Sequence, residues 1–176
     1  MSWGKIDSRV VFDNPWFTVY EDRVINPGGG RSDYGYVHFK NRAIAIVPLD
    51  GNGNTWLVGQ QRYTLGIYSW ELPMGGTNGD EEPLAAAKRE LKEETGLTAR
   101  RWTGIMRLHT SNSITDEEGF VFVAEDLEEG EPAFEETEDL QIRKVQLSEA
   151  LDMIDHGEIT DAISVAALLK VARAGL

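Results

Sequence analysis

Residues 75–97 read GGTNGDEEPLAAAKRELKEETGL, a glycine-rich turn that leads into an acidic helix. Asp80 is predicted as the N-cap, because its side chain can accept hydrogen bonds from the first free amides of a helix. Glu81 and Glu82 would then lie in the first turn, where negative charge suits the helix dipole. Gly96 is predicted to end the helix in the left-handed conformation, which glycine adopts at little cost.

The second half of this helix carries three glutamates that helix stability alone does not explain. Glu90 and Glu94 are four residues apart and share a face, with Glu93 beside them, and like charges at that spacing destabilise a helix. A narrow apolar stripe is expected to dock the helix: Leu84, Ala87 and Leu91. A rigid carboxylate cluster suits a hard cation such as Mg²⁺, which prefers oxygen ligands. The alternative is a solvated acidic face in an acidic protein.

The spacing of the whole stretch resembles the signature of the Nudix family. Gly75, five residues, Glu81, seven residues, Arg-Glu-Leu at 89–91, Glu-Glu at 93–94 and Gly-Leu at 96–97 match every defined position. The resemblance implies a loop–helix–loop that binds a divalent metal, Mg²⁺ or Mn²⁺, and hydrolyses a nucleoside diphosphate linked to another moiety. It also implies an α/β fold, a Nudix-type α/β/α sandwich on a mixed sheet, with a small N-terminal antiparallel strand element.

The resemblance assigns roles to individual side chains in and before the helix. The helix residues expected to bind the cation are Glu90, Glu93 and Glu94. Arg89 is expected to orient one of these glutamates through a bidentate ion pair, so that Arg89 and Glu93 are the catalytic residues of the helix. The carbonyl of Met74 is expected to be a further metal ligand, and the two glycines that follow it permit the close approach.

Composition bounds the class of protein. The chain has 176 residues, no cysteine and a net charge of −13, with 30 acidic and 17 basic residues. This charge argues against binding of nucleic acid or an anionic membrane, and the absence of cysteine excludes thiol catalysis and cysteine-bound zinc. The start lacks the apolar core of a signal peptide, and no apolar run is long enough to span a membrane. A cytoplasmic protein is therefore expected.

Residues 1–42 are predicted to form the N-terminal strand element, with strands at 9–12, 16–25 and 34–39 and a glycine-rich reversal at 27–30. A similar element, in the Nudix branch that hydrolyses ADP-ribose and nucleotide sugars, takes part in dimerisation and in holding the nucleobase. The resemblance therefore implies a homodimer and makes Trp16 a candidate for substrate binding. The alternative for Trp16 and the other aromatic side chains here is core or interface packing.

Residues 43–176 are predicted to form the Nudix hydrolase domain. The apolar run 43–49 is typical of a buried central strand, and the turn at 50–54 predicts a hairpin with a returning strand at 55–61. Arg62 follows in a segment, GQQRY, that resembles one in the same branch, and it is a candidate for contact with phosphate or sugar. The alternative for Arg62 is a surface ion pair. The lead-in ELPMG at 71–75 also fits this branch.

Further strands are predicted at 100–108, 119–124 and 140–145. The polar loop between the first two offers Glu117 as a candidate for contact with the substrate. The acidic run that follows ends in ETED, which resembles a loop over the active site of ADP-ribose pyrophosphatases. That resemblance makes Glu136 the general base and Glu138 an additional metal ligand, with Glu135 close enough to be confused with the base.

Two helices are predicted to close the chain. Ser148 is expected to cap the first, over residues 149–156, and Thr160 or Asp161 is expected to open the second. The function predicted from the whole pattern is metal-dependent hydrolysis of the pyrophosphate linkage of a nucleoside diphosphate sugar such as ADP-ribose. The products would be a nucleoside monophosphate and a sugar phosphate. The alternatives are a nucleoside triphosphate or dinucleoside polyphosphate pyrophosphohydrolase and, from another class, a non-catalytic module that senses a nucleotide.

Overall fold

The computed structural model describes residues 2–134 and 139–175. The first three strands form an antiparallel sheet in the order β1-β2-β3. Their bounds are β1 (Gly4–Asp13), β2 (Phe17–Ile25) and β3 (Arg31–Phe39). The reversal between β2 and β3 is organised by Asn26, whose side-chain oxygen accepts hydrogen bonds from the amides of Gly28 and Gly30. The predicted N-terminal antiparallel element is present.

The remaining strands form two further sheets. A four-stranded mixed sheet has the order β7-β4-β9-β8, in which β4 and β9 are parallel and the other pairs antiparallel. Its bounds are β4 (Ala43–Pro48), β7 (Met74–Gly76), β8 (Thr98–His109) and β9 (Glu118–Glu128). The third sheet is antiparallel in the order β10-β5-β6, with bounds β5 (Asn54–Arg62), β6 (Ile67–Glu71) and β10 (Gln141–Gln146).

Three helices cover the two faces of the mixed sheet: α1 (Pro83–Thr95), α2 (Leu147–Asp155) and α3 (Ala162–Ala174). On one face, Ile44 and Ile46 of β4 pack in a buried cluster with Leu91 of α1. On the other face, alternate residues of β4 such as Val47 pack with α2 and α3 residues such as Leu168. Because side chains alternate along a strand, β4 is buried on both sides. The predicted α/β/α sandwich is confirmed.

The turn at residues 50–54 does not connect paired strands, so the predicted hairpin is wrong. β4 pairs with β7 and β9, whereas β5 pairs with β6 and β10. The turn itself forms, with the Asp50 amide donating to the Asn54 carbonyl. It carries the chain from the mixed sheet to the antiparallel sheet that contains β5.

The start of α1 differs from the prediction. Its N-cap is Glu82 rather than Asp80, and no side chain caps the helix. Pro83 occupies the first helical position, where a fixed φ and a missing amide fit well. Leu84 is 37% exposed, whereas Ala86 is fully buried. The buried face of α1 is formed by Ala86, Ala87 and Leu91, and Leu84 lies outside it.

Two of the other predicted helix caps are present in the structure and one is not. Gly96 ends α1 with φ of 73°, as predicted. Asp161 is the N-cap of α3 and accepts a hydrogen bond from the Ser164 amide at 2.8 Å, also as predicted. Ser148 is not a cap, because β10 runs directly into α2 and Gln146 takes the N-cap position. In the described residues, no helix is long and apolar enough to cross a membrane.

Candidate active site

The carboxylates of α1 face the interior rather than the solvent. Glu90 is 9% exposed and Glu94 is 2% exposed. An ionised carboxylate is costly to bury unless it is partnered, and Glu94 accepts a hydrogen bond from the Met74 amide at 2.9 Å. A solvated acidic face is therefore the wrong interpretation for these two glutamates. The burial fixes their side chains against the strand that leads into the helix.

Arg89 ties the glutamates to the glycine-rich turn. Its Nη1 donates to Glu90 at 2.7 Å and to Glu93 at 3.0 Å. Its Nε and Nη2 form a bidentate pair with Glu81, at 3.3 and 2.9 Å, and Nη2 also donates to the Gly76 carbonyl at 2.8 Å. Arg89 thus orients Glu90 and Glu93 through single bonds, whereas the predicted bidentate geometry falls on Glu81.

The hydrogen bonds between Arg89 and the glutamates shift the pKa values of Arg89 and Glu81. The hydrogen bond to Glu81 is the largest cause that raises the pKa of Arg89 above its ordinary value, with further contributions from Glu90 and Glu93. The same bond from Arg89 lowers the pKa of Glu81 below its usual value. Both groups therefore stay ionised at neutral pH, and the clamp keeps its charges.

Gly75 leaves room for the carboxylate of Glu90. A Cβ atom at Gly75 would lie 2.2 Å from the carboxyl carbon of Glu90, which is far inside contact distance. At Gly76, a Cβ atom would meet nothing closer than 3.8 Å. The chain therefore needs glycine at position 75, because any side chain there would displace Glu90.

The donor set of α1 fits a divalent cation in its chemistry. Glu90, Glu93 and Glu94 supply carboxylate oxygens, which hard cations such as Mg²⁺ prefer. Within residues 2–134 and 139–175, no three acidic or histidine side chains converge closely enough to form a ready metal cluster. Arg89 bridges Glu90 and Glu93 instead. The absence of a side chain at Gly75 lets the carboxylate of Glu90 lie directly against the backbone that follows Met74.

Two adjoining cavities lie between the N-terminal sheet and the glycine-rich turn, with Trp16 in the lining of both. One, of about 260 Å³, includes Met74, Arg89 and Glu90 in its lining. The other, of about 210 Å³, includes Arg42 and Glu117. Trp16 is 67% exposed, so core packing is the wrong interpretation for its ring. The structure thus places Trp16 at both cavities, with Met74 in the lining of one and Glu117 in the lining of the other.

A larger cavity, of about 400 Å³, lies in the N-terminal sheet. Its lining includes Trp3, Asp22 and Tyr34, and none of the residues of the α1 network. Size alone does not mark the reactive centre, since Arg89 and the buried Glu90 line the smaller cavity of about 260 Å³.

Arg62 lies near this centre in an ion pair. Its Nε donates to the Glu71 carboxylate at 2.8 Å, and Nη2 bonds to the other oxygen of that carboxylate. Glu71 is 2% exposed, so the pair is half-buried rather than on the open surface. The bond to Glu71 is the largest cause that raises the pKa of Arg62, and the charges of Asp161 and Glu94 raise it further. Arg62 therefore forms an ion pair, as the alternative interpretation of the sequence had it, but with a buried partner. Contact of Arg62 with phosphate or sugar stays a prediction.

Comparison with known families identifies the fold family. A family model described as the NUDIX domain matches residues 39–164, which is more than half of the chain. The chain belongs to the Nudix family. A second family model, described as the nucleoside diphosphate sugar hydrolase N-terminal domain, matches residues 3–37. The predicted family and the predicted class of enzyme, a Nudix pyrophosphohydrolase, are confirmed. The division of the chain at residue 42 into two units stays a prediction.

Individual relatives cover most of this Nudix chain. An ADP-ribose pyrophosphatase of Mycobacterium tuberculosis is 38% identical over 170 residues, which are 94% of this chain and 81% of the relative. An ADP-ribose pyrophosphatase of Bacillus subtilis is 33% identical over 159 residues, covering 89% and 85%. A crystal structure of an ADP compounds hydrolase superposes with a TM-score of 0.89 at 24% identity, covering 99% of this chain and 94% of that one. The structural likeness shows the Nudix fold.

Two predicted residues of the Nudix site, Glu136 and Glu138, lie outside the described residues. The segment before them is described, and the Ala133 amide donates to the Glu93 carbonyl at 2.8 Å. Their roles as base and metal ligand stay predictions. Asp116, which stands next to the candidate Glu117, is engaged with His38 and with the amide of Phe39.

Sequence reasoning missed Arg42 at the Nudix site. This residue lines the smaller cavity together with Trp16 and Gly75. It stands immediately before the apolar run that predicted β4, outside every motif considered. The one signal in the sequence was its place at the mouth of a buried strand, where a charged side chain must point away from the core.

Proposed function

We propose that this enzyme hydrolyses the pyrophosphate linkage of a nucleoside diphosphate sugar such as ADP-ribose. The products are a nucleoside monophosphate and a sugar phosphate. Pyrophosphate hydrolysis as the class of reaction is confirmed by membership of the Nudix family, and the identity of the substrate is our proposal.

One arrangement carries the proposal. The cavities of the site lie between the N-terminal sheet and the residues that precede α1 and hold its glutamates, and the N-terminal sheet matches the N-terminal domain of nucleoside diphosphate sugar hydrolases. Trp16 of this N-terminal part is exposed at the cavity, and an exposed aromatic ring can stack on a nucleobase. The names of the two relatives, both ADP-ribose pyrophosphatases, agree with a nucleotide-sugar substrate.

The proposed roles of the side chains follow from the charge that hydrolysis develops on the phosphates. A divalent cation held at the site, proposed to be Mg²⁺ or Mn²⁺, would neutralise that charge and would lower the pKa of a water molecule that it binds. The proposed ligands are Glu90, Glu93 and Glu94 with the Met74 carbonyl, and Glu138 as a further ligand. Arg89 fixes two of these carboxylates through its hydrogen bonds.

Glu136 is proposed to take the proton of the attacking water. The proposed substrate contacts are Arg62, Trp16 and Glu117.

The test of the substrate is a panel with Mg²⁺ in which ADP-ribose, dGTP and a dinucleoside polyphosphate are compared by product analysis. We expect AMP and ribose 5-phosphate from ADP-ribose, with a kcat/KM at least ten times that for the other two compounds. A preference for dGTP with release of inorganic pyrophosphate would overturn the proposal. No turnover of any of the three would support the non-catalytic alternative.

The test of the cation site is the pair Glu93→Gln and Glu94→Gln. Each variant should lose metal-dependent turnover by about 100-fold, because a neutral amide is a poor ligand for a hard cation. Circular dichroism should show an unchanged fold, since Gln keeps the volume of Glu. Full activity of either variant at saturating Mg²⁺ would remove that residue from the proposed ligands.

We further propose that the chain forms a homodimer through its N-terminal sheet. Three consecutive apolar residues of β1, Val10, Val11 and Phe12, are each more than half exposed, and an apolar patch of this kind favours association. Light scattering on the purified protein should give a mass near twice that of one chain. A cytoplasmic location stays a prediction from the sequence.

A further inference from the structure

An anionic substrate would be repelled by the charge of this chain. A nucleoside diphosphate sugar is anionic, the chain carries a net charge of −13, and α1 carries several carboxylates at the site. Two arginines line the cavities between the N-terminal sheet and the glycine-rich turn, Arg42 and Arg89. Their surroundings differ in a way that separates their roles.

Arg89 is fully engaged by the protein. It pairs with Glu81, Glu90 and Glu93, and it donates to the Gly76 carbonyl as well. These contacts use all three nitrogens of its guanidinium. A substrate phosphate could bind Arg89 only by breaking the clamp that holds the glutamates. Arg89 is therefore a positioning residue.

The backbone of Arg42 is fixed beside the glycine-rich turn. Its amide donates to Oγ1 of Thr77 at 3.1 Å, and its carbonyl accepts from the Thr77 amide at 3.0 Å. The next residue, Ala43, is in register with Gly76 across the β4–β7 pair. These two hydrogen bonds with Thr77 fix the backbone of Arg42, and the residue lines the cavity together with Gly75 and Gly76.

The charge of Arg42 is only weakly satisfied. Among the described residues, its ion-pair partner is Glu118, and the distance from Nε to the carboxylate is 3.9 Å, too long for a hydrogen bond. The other oxygen of Glu118 is bonded to both Nε and Nη2 of Arg107. Glu118 is thus held mainly by Arg107, and the guanidinium of Arg42, half exposed, keeps its donors for another acceptor.

We propose that Arg42 binds the diphosphate of the substrate and thereby sets the affinity of the site for anionic nucleotides. The planar guanidinium can donate two parallel hydrogen bonds to phosphate oxygens. Arg42 lines the cavity that contains Trp16 and the two glycines and no residue of α1, whereas Arg89 and Glu90 line the adjoining one. The role assigned to Arg42 rests on the proposed function, since it takes the ligand to be a nucleoside diphosphate compound.

The test compares Arg42→Ala, Arg42→Lys and the matched control Arg107→Ala. Arg107 pairs with the same glutamate and is exposed, but it does not belong to the lining of either cavity. Kinetics with ADP-ribose and calorimetric binding of ADP in the presence of Mg²⁺ are measured for each protein. The second readout does not depend on turnover.

We expect Arg42→Ala to raise both the KM for ADP-ribose and the Kd for ADP by about 10- to 100-fold, the loss expected for a charge-assisted hydrogen bond. Its kcat should change by less than about threefold, because the side-chain partner of Arg42 among the described residues, Glu118, is not a proposed metal ligand. Arg42→Lys should recover part of the affinity, since lysine keeps the charge and loses the bidentate geometry. Arg107→Ala should raise both the KM and the Kd far less than Arg42→Ala does, because it leaves the lining of both cavities unchanged and only releases Glu118 toward Arg42.

The outcomes separate the two proposals. Equal ADP affinity in Arg42→Ala, Arg107→Ala and the wild type would overturn the role of Arg42, whatever the substrate. A loss of kcat without a loss of affinity would also overturn it. If the wild type does not cleave ADP-ribose but Arg42→Ala still weakens ADP binding, the proposed substrate fails and the role of Arg42 in binding the diphosphate stands.

Discussion

Gly75 and Glu90 compete for the same space, and this makes the glycine a test of the carboxylate position. In Gly75→Ala, the new methyl group would lie 2.2 Å from the Glu90 carboxyl carbon, so the end of that side chain must move. Because a displacement of about 1 Å in a catalytic group can cost about 100-fold in rate, we expect a loss of that size in kcat. The measurement is steady-state kinetics at saturating Mg²⁺.

The neighbouring glycine provides the control for this substitution. In Gly76→Ala, the methyl group would find its nearest neighbours at 3.8 Å, an ordinary contact. We expect the fold-loss of kcat in Gly76→Ala to be less than about a tenth of the fold-loss in Gly75→Ala. Unfolding in urea should show a cost of about 1 kcal/mol for Gly75→Ala, since a flexible side-chain end yields more easily than backbone. Similar kinetics in the two variants would show that the position of Glu90 does not limit the reaction.

At the scale of elements, the end of α1 is joined to the segment that precedes residue 135. Gly96 has φ of 73°, and a Cβ atom there would lie 2.2 Å from the Gly130 carbonyl oxygen. Gly96→Ala therefore combines the strain of a left-handed conformation, about 1–2 kcal/mol, with a forced shift of backbone. We expect a loss of about 3 kcal/mol in the free energy of unfolding, measured in urea.

Gly157 separates the two contributions. It has a similar φ of 75°, but a Cβ atom there would meet nothing within 4 Å. Gly157→Ala should therefore cost only the conformational strain, about 1 kcal/mol. Only Gly96→Ala should also lower kcat, since it displaces the chain near the contact of Ala133 with Glu93. Equal costs for the two variants would mean that the Gly130 contact is not close in solution.

The turn between β4 and β5 makes stability depend on pH. Burial alone would raise the pKa of Asp50, but hydrogen bonds from Asn54, Lys144 and the Asn52 amide outweigh it and hold this pKa well below 3.8. A carboxylate with a lowered folded pKa contributes its stability above the unfolded value, and the contribution fades as pH falls toward the folded value. The wild type should therefore exceed Asp50→Asn by about 2 kcal/mol at pH 7, and this difference should shrink below about pH 3.8.

The measurement is urea unfolding of both proteins at pH 7, 5 and 3. Asp152→Asn, at an exposed position of α2, is the control for the general effect of acid. A difference between the wild type and Asp50→Asn that stays constant down to pH 3 would contradict the assignment of that stability to the carboxylate.

At the scale of the whole molecule, local signals in the sequence were reliable where the physics is local. The stripe of Leu84, Ala87 and Leu91 predicted a helix that ends at Gly96. Gly96 and Asp161 were identified as the end of α1 and the start of α3 because caps depend on nearby backbone groups. Glu90 and Glu94 were placed on one face by their spacing. That they are buried depends on the close approach of Gly75, which the spacing does not contain.

The errors arise where distant segments meet. The turn at residues 50–54 has the same sequence whether or not its strands pair, and the pairing of β4 with β9 is decided about 75 residues further along. Arg42 could not be found by motif, because its place at the site comes from its bonds with Thr77 across two strands. An ion pair of Arg62 was one of the alternatives from the sequence, but its partner, Glu71, and the burial of that partner follow from the pairing of β5 with β6.

The proposed general base tests how the whole chain completes the site. The Ala133 amide donates to the carbonyl of Glu93, so the described part of this segment is held beside α1, and this supports the proposed role of Glu136. Glu136→Gln should lower kcat by about 100-fold or more with little change in KM, because the amide cannot accept the proton of the attacking water. Glu135→Gln is the matched control and should retain kcat within threefold. A loss in Glu135→Gln alone would transfer the role to Glu135, and full activity in both variants would show that the proton leaves by another route.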